Sequence, residues 1–234
     1  MAVQINIPSH AAPIWSRRGH FEMKNRGLRS GPGRSSVSAR AMSIAFKEWA
    51  IICQTLGSGA QSIILRKGGI HEGRDGFSFK HPEFFLFPTL FHEQIARTRL
   101  PASTPIPAGK SGEIRITEFA RVEWTATITH IETALALKDF HVWNEEVVRE
   151  RFHYDEAPGL HLAFLRVYRC EPSWAFPDDP KYGGCRSWVT IPEPVAGVQL
   201  IPALSDEEHG RRGDALRHAL ADAVIAEAAA GITP

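Results

Sequence analysis

Four short strings hold the residue types from which a site could be built. Residues 65–69, LRKGG, set Arg66 and Lys67 beside two glycines. Cationic donors next to backbone amides that can approach closely suit a phosphate or a carboxylate. The plainer reading is a strand end and a turn, with the Arg66 stem covering the core edge. Residues 87–94, FPTLFHEQ, offer Thr89, His92 and Gln94 after an aromatic run. His92 changes charge near neutrality, and Phe84, Phe85 and Phe87 have faces on which a base could stack. Phenylalanines this dense are more often core, with His92 a boundary residue.

Residues 182–188, YGGCRSW, put Tyr182, Cys185, Arg186, Ser187 and Trp188 around a sharp Gly-Gly turn. A nucleophilic Cys185 needs a basic partner, for which His81, His92 and His141 are candidates. Anion binding by Arg186 and Ser187 is the more economical use, and a tight turn with a packed Trp188 the plainest. Residues 141–152, HVWNEEVVRERF, add Trp143 and Arg151. Trp143 is an anchor for a ligand, or a staple that packs the entry of a helix.

Other chemistries lack their residues. There is no CxxC, Walker loop, GxSxG elbow or nudix pattern, and no His pair at metal-ligand spacing. A magnesium nuclease needs D/E-x-K on a strand, yet Asp179-Pro-Lys181 lies in a proline-rich loop and Glu22-Met-Lys24 in the basic leader. No cofactor or metal is expected. The three scattered cysteines, Cys53, Cys170 and Cys185, read as reduced thiols of a cytoplasmic protein. No apolar run reaches the roughly 20 residues that span a bilayer.

The net charge of +1 hides an asymmetry. Residues 1–41 carry seven basic groups against Glu22, or +6; the other 20 basic and 25 acidic residues leave −5. The Gly/Ser/Arg/Pro-rich leader predicts a disordered basic tail or an upstream start before Met42. A nucleic-acid-binding arm is the sharper alternative. Residues 42–200 read as the core domain and 201–234 as a C-terminal amphipathic helix. The Pro/Gly-rich residues 101–112 could join two lobes.

Phe46, Trp49, Ala50 and Cys53 recur at helical spacing and predict a helix. Strands are expected at 62–66, 77–79 and 84–87, limited by Pro82 and Pro88. A short helix is expected at 90–97. Beyond the loop, EIRIT and VEWTATI read as strands, with Val122, Trp124, Ala126 and Ile128 alternating. Thr129 and Glu132 make a capping box, Asn144 caps a second helix, and residues 160–170 form a central strand. Residues 171–186 read as loop and 187–191 as a strand. Ser205 and Glu208 open the last helix, with Leu216, Leu220, Ala223 and Val224 on one stripe.

The blocks KEWAIICQTL, GAQSIILRKGGIHEG, FFLFPTLFHEQ, HVWNEEVVRERFHY, LRVYRC and YGGCRSWVTI together resemble the bacterial family known as domain of unknown function 1802, over residues 46–191. That resemblance implies no established activity. Fusion of members to a restriction-endonuclease-type domain implies a restriction–modification partner protein. The element order of residues 113–170 is similar to PUA and ASCH domains, small β-barrels that bind RNA or modified bases. The expected fold is α+β: one domain with a mixed or barrel-like, PUA-like sheet flanked by helices. The expected function is binding of nucleic acid or a nucleotide by a groove of Arg66, Lys67, His92, Arg186 and Trp188. The alternatives are an enzyme using Cys185 or His92 and a non-catalytic interaction subunit.

Overall fold

The computed structural model describes residues 4–6, 42–67, 78–107 and 110–229. Gly68, Gly69 and Phe77, most of the basic leader and the side chain of Val224 lie outside the described residues. The chain runs through β1 (Gln4–Asn6), β2 (Met42–Trp49), α1 (Ala50–Gly57), β3 (Ile63–Arg66), β4 (Glu83–Thr89) and β5 (Glu113–Ile128). It continues through α2 (Ile131–Ala136), a 3-10 turn (Leu137–Phe140), α3 (Glu145–Phe152) and β6 (Leu160–Pro177). A second 3-10 turn (Pro180–Tyr182), β7 (Trp188–Pro192), β8 (Gln199–Pro202) and α4 (Asp206–Ala229) complete it.

One mixed sheet of eight strands results, in the order β3-β6-β5-β4-β2-β7, with β1 also on β5 and β8 also on β6. Among the described residues only β2 and β4 pair in parallel. The spine is the long antiparallel pair β5 and β6. Strands from both sides of residues 101–112 share this sheet, since β3 pairs with β6 and β4 with β5. The fold is α+β and the sheet is mixed. It is not closed into a barrel, because no ladder among the described residues joins β3 to β7. Among the described residues no helix is long and apolar enough to cross a membrane.

Several local expectations give way. Residues 46–49 are strand, and the helix starts only at Ala50. Phe46 packs in one core cluster and Ala45 in another, so both faces of β2 are covered. Two-sided burial erases the period-2 pattern, and a four-residue coincidence then mimics a helix. Pro88 does not end β4, which runs on to Thr89, while residues 78–80 are not strand and 92–97 are turns rather than helix. The β6 strand persists to Pro177, through what reads as loop. A register shift between Ile116/Trp174 and Glu118/Arg169 leaves extra residues on β6, which accommodates Pro172 with no N–H for a ladder. Gln4–Asn6, inside the leader expected to be unstructured, pairs with Thr125–Thr127.

The clearest signals hold. Val122, Trp124, Ala126 and Ile128 are buried along β5. Asn144 accepts from the Val147 amide at 2.9 Å, and the Ser205 hydroxyl accepts from the Glu208 amide at 3.2 Å. The Thr129 box does not form. The N-cap of α2 is His130, which puts Glu132 in the first turn, where it still complements the helix dipole. Leu216 and Leu220 dock α4 on the larger core, where each fully buried leucine is worth about 1.5–3 kcal/mol.

Candidate functional site

The end of β2 is fastened before it delivers any side chain to a site. Thr89 on β4 donates its hydroxyl to the Glu48 carbonyl at 3.0 Å. Gln94, fully buried, accepts from the Ile51 amide at 3.1 Å and donates to the carbonyls of Thr89 and Phe91. A buried amide with both ends satisfied fixes geometry. Thr89 and Gln94 therefore hold the strand-to-helix junction, with the Thr89 hydroxyl proton and both Gln94 amide protons committed to backbone carbonyls.

That junction points Glu48 inward, where its side chain is 0% exposed. Its Oε1 accepts from the Trp49 amide at 2.9 Å. Two guanidinium groups flank the carboxylate. Arg66, from the end of β3, lies 3.8 Å from Oε2, and Arg151, from α3, lies 3.8 Å from Oε1. At that separation each pair attracts without a hydrogen bond. Arg66 rests over the Phe46 ring at 5.3 Å and donates Nη2 to Ser187 Oγ at 3.2 Å. Arg151 lies against Trp49 at 4.9 Å and Trp143 at 4.5 Å, and donates to the Leu65 carbonyl at 2.9 Å. Burial pushes Arg151 down to about 10, which leaves it charged at neutral pH. Lys47, the residue before Glu48 on β2, faces the other way, over the Phe87 ring at 6.0 Å, with Nζ on the Gly184 carbonyl at 3.0 Å and its amide on the Ser187 carbonyl at 2.8 Å. Its own pKa is lowered, first by burial and then by Arg186.

Unmet hydrogen-bonding capacity gathers around this cluster. Nine buried side-chain polar atoms lack a partner in good geometry among the described residues, and five of them belong to Glu48, His141, Trp143 and Trp188. His141 sits 5.4 Å from Trp143, ring to ring. Burial, then Arg99 and Arg151, push it down to about 3, so it is neutral at physiological pH. Trp188 packs edge-on to Phe46 at 4.9 Å, and His81 edge-on to Trp188 at 4.8 Å. Most buried polar groups in a folded protein are paired, so such a concentration marks one neighbourhood as different from the rest of the core.

The sequence candidates divide accordingly. Arg66 contacts Glu48 directly, Ser187 through Arg66 and Trp143 through Arg151, while Trp188 is one contact further out, through Phe46 and Arg66. Arg186 is close enough to Lys47 to act on its charge, while donating to the Lys181 carbonyl at 2.6 Å. Lys67 turns away to Asp155 at 3.0 Å. Tyr182 is buried against Phe87 and Phe176 in the second core cluster. Phe84 and Phe87 are buried as well and have no face for a base. His92 is exposed on the 92–97 turn, and no contact among the described residues ties it to Arg66. Cys185 is exposed and has no hydrogen bond to a histidine among the described residues. No group of three His, Cys, Asp or Glu that could hold a metal occurs among the described residues. Sequence reasoning passed over Glu48 and Lys47, and it weighed His141 only as a basic partner for Cys185. The available signal was a Lys-Glu pair set between apolar residues on both sides, in AFKEWAII.

An open mixed sheet with helices over one core, and an arginine-rich cluster where its terminal strands meet, defines an α+β domain with a cationic candidate site. The chain belongs to the family described as Domain of unknown function (DUF1802), which matches residues 45–215 and so extends past β8 into α4. No curated protein matches it. Among solved structures it is similar to an ASCH protein from Zymomonas mobilis, at 10% identity and a TM-score of 0.33, over 73% of this chain and 93% of that one. A serine-to-alanine mutant of the Zymomonas mobilis ASCH protein matches at 11% identity and a TM-score of 0.32, over 53% of this chain and 66% of that one.

Proposed function

We propose that this protein binds a phosphate-bearing ligand, a nucleotide or nucleic-acid strand, through Arg66 backed by Arg151. The observation that carries this reading is the sharing of one buried carboxylate by two guanidinium groups, each at 3.8 Å and neither hydrogen-bonded to it. Glu48 thus offsets part of the repulsion between the arginines without consuming their donors. Arg66, 21% exposed at its side chain, retains N–H groups for a second acceptor. The aromatic surface of Trp188 and His81 beside it favours a ligand with a base over a bare anion. A restriction–modification partner is part of this proposal only through the family resemblance.

The test is fluorescence anisotropy of a labelled single-stranded oligonucleotide with the full chain, across a salt series. Arg66→Met should weaken binding and lower the slope of log K against log salt by about 1. Arg115→Met, on an exposed side chain bonded to Ser173, should change neither. Equal binding by wild type and Arg66→Met would locate the affinity elsewhere, in the basic leader first, and end this reading.

A further inference from the structure

We infer that the protein has a second binding site, a cleft beside the first turns of α4, and that it takes a free α-amino acid with an apolar side chain. The site is separate from the phosphate reading. Ser62 and Ile63, at the start of β3, line the cleft, whereas Arg66 ends that strand.

The packing of α4 creates the space. The helix comes closest to the sheet at Gly213, where a Cβ would stand 3.1 Å from the Phe164 ring, and Leu216 and Leu220 are buried below it. Beside that contact, Ala215 of α4 and Ala60 ahead of β3 are too short to close the gap, and a cleft of about 270 Å³ remains. At about 30 Å³ per water it has room for roughly nine, the bulk of one amino acid and too little for a nucleotide. Ile63, Phe140 and Phe164 give it an apolar lining.

The charges on its walls are the second argument. Asp139, Glu208, Arg211 and Arg212 all line the cleft. Both oxygens of Glu208 are engaged, Oε1 by Arg212 Nε at 3.1 Å and Oε2 by Arg211. Two guanidinium groups on one carboxylate leave one positive charge in excess. Arg212 gives a further N–H to the Gly59 carbonyl, yet each arginine has five donors, so both keep some for a ligand. Asp139 has no ion pair or hydrogen bond among the described residues, so one negative charge is uncommitted as well. Ser62 is buried and bonds through its carbonyl to the Leu165 amide, which leaves its hydroxyl unpaired among the described residues.

A zwitterion uses both poles. A carboxylate alone would meet Asp139, and an amine alone would meet the excess arginine. A hydrocarbon would take water from both charges and give no bond in return. A phosphate dianion exceeds the single excess charge and faces Asp139 too. An α-amino acid can set its carboxylate on the arginines, its ammonium on Asp139 and its side chain on the phenylalanine-lined wall.

The experiment is isothermal titration of the full chain with L-leucine, with 3-methylbutylamine, which lacks the carboxylate, with 4-methylpentanoate, which lacks the amine, and with glycine, which lacks the side chain. L-leucine should bind about ten-fold more tightly than any of the three, the size of one charge-assisted contact or of a few buried methylene groups. Asp139→Asn should abolish the advantage over 4-methylpentanoate and keep the advantage over the amine. Ala215→Phe, at an exposed position, should fill the cleft and remove binding, with circular dichroism confirming the fold of both variants. Arg66→Met should leave leucine affinity unchanged, since the two sites are independent. Either half-molecule binding as tightly as L-leucine would overturn the zwitterion class. Leucine binding that ignores both Asp139→Asn and Ala215→Phe would place the ligand elsewhere, and no binding at millimolar leucine would overturn the inference outright, each leaving the phosphate reading untouched.

Discussion

Arg66 and Ser187, 121 residues apart, join by a 3.2 Å hydrogen bond the two terminal strands of the sheet path. Arg66 ends β3 and Ser187 immediately precedes β7, at opposite ends of the order β3-β6-β5-β4-β2-β7. The sheet has therefore curled until its edges meet through side chains, though no backbone ladder closes it. Ser187→Ala removes that bond while Arg66 keeps its attraction to Glu48. The expected loss is about 1 kcal/mol, measured by urea unfolding, the usual net worth of one hydrogen bond. A loss several times larger would mean that the contact closes the fold and is not an accessory to the site.

Glu48→Gln keeps the shape of the side chain and removes the charge that Arg66 and Arg151 share. Breaking a buried ion pair from one side strands the other charge, at a cost of about 3–5 kcal/mol. Chemical denaturation should report a loss of that order. Phosphate added to the variant should restore more stability than it adds to wild type, because the two guanidinium groups then lack any other counter-charge. A variant as stable as wild type would show that the arginines are fully solvated.

Glu118 lies where the two cores meet, close enough to Gly57 that a Cβ there would stand 2.7 Å from its Oε1. Burial pushes its carboxyl from 4.5 to about 7, against the pull of the Thr117 hydroxyl bonded to it. The folded state holds this proton more tightly than the unfolded chain does. The contribution to stability is therefore complete below 4.5 and is lost as pH rises through 7. The full span corresponds to about 3 kcal/mol at 1.36 kcal/mol per pH unit. Glu118→Gln should gain stability over wild type at pH 8, and the gain should vanish near pH 4. His141, held down near 3, destabilises both proteins alike as pH falls below 6.5, so it cancels in the comparison. Parallel thermal melts from pH 4 to 8 read the difference, and a constant gap would remove Glu118 as its source.

The three thiols should separate by burial. Cys185 is exposed, whereas Cys53 and Cys170 are buried. Burial raises the Cys53 thiol well above its usual range and the Cys170 thiol to about 12, with the Glu118 charge adding to both. The thiolate is the reactive form, so a disulfide reagent should modify one cysteine in the native protein and all three after denaturation. Rapid modification of a second thiol in the native state would contradict the packing around Glu118.

The sequence by itself determined what depends on near neighbours. Asn144 and Val147 are three residues apart, as are Ser205 and Glu208, so both caps were readable. The alternation from Val122 to Ile128 was legible because one face of β5 is more deeply buried than the other. Arg66, Trp143, Ser187 and Trp188 could be singled out by residue type. Tertiary structure alone decided the rest. Residues 46–49 became strand because ladders to β4 and β7 and a core on each face outweigh their local spacing. The same long-range pairing carries β4 through Pro88 and β6 on to Pro177. Glu48 acquires its meaning only from Arg66 and Arg151, delivered by a different strand and a helix. Hydrogen bonds within a turn are written in adjacent letters. The sheet ladders and the ion pairs of Glu48 join residues tens to more than a hundred positions apart, and no local pattern encodes which of them will meet.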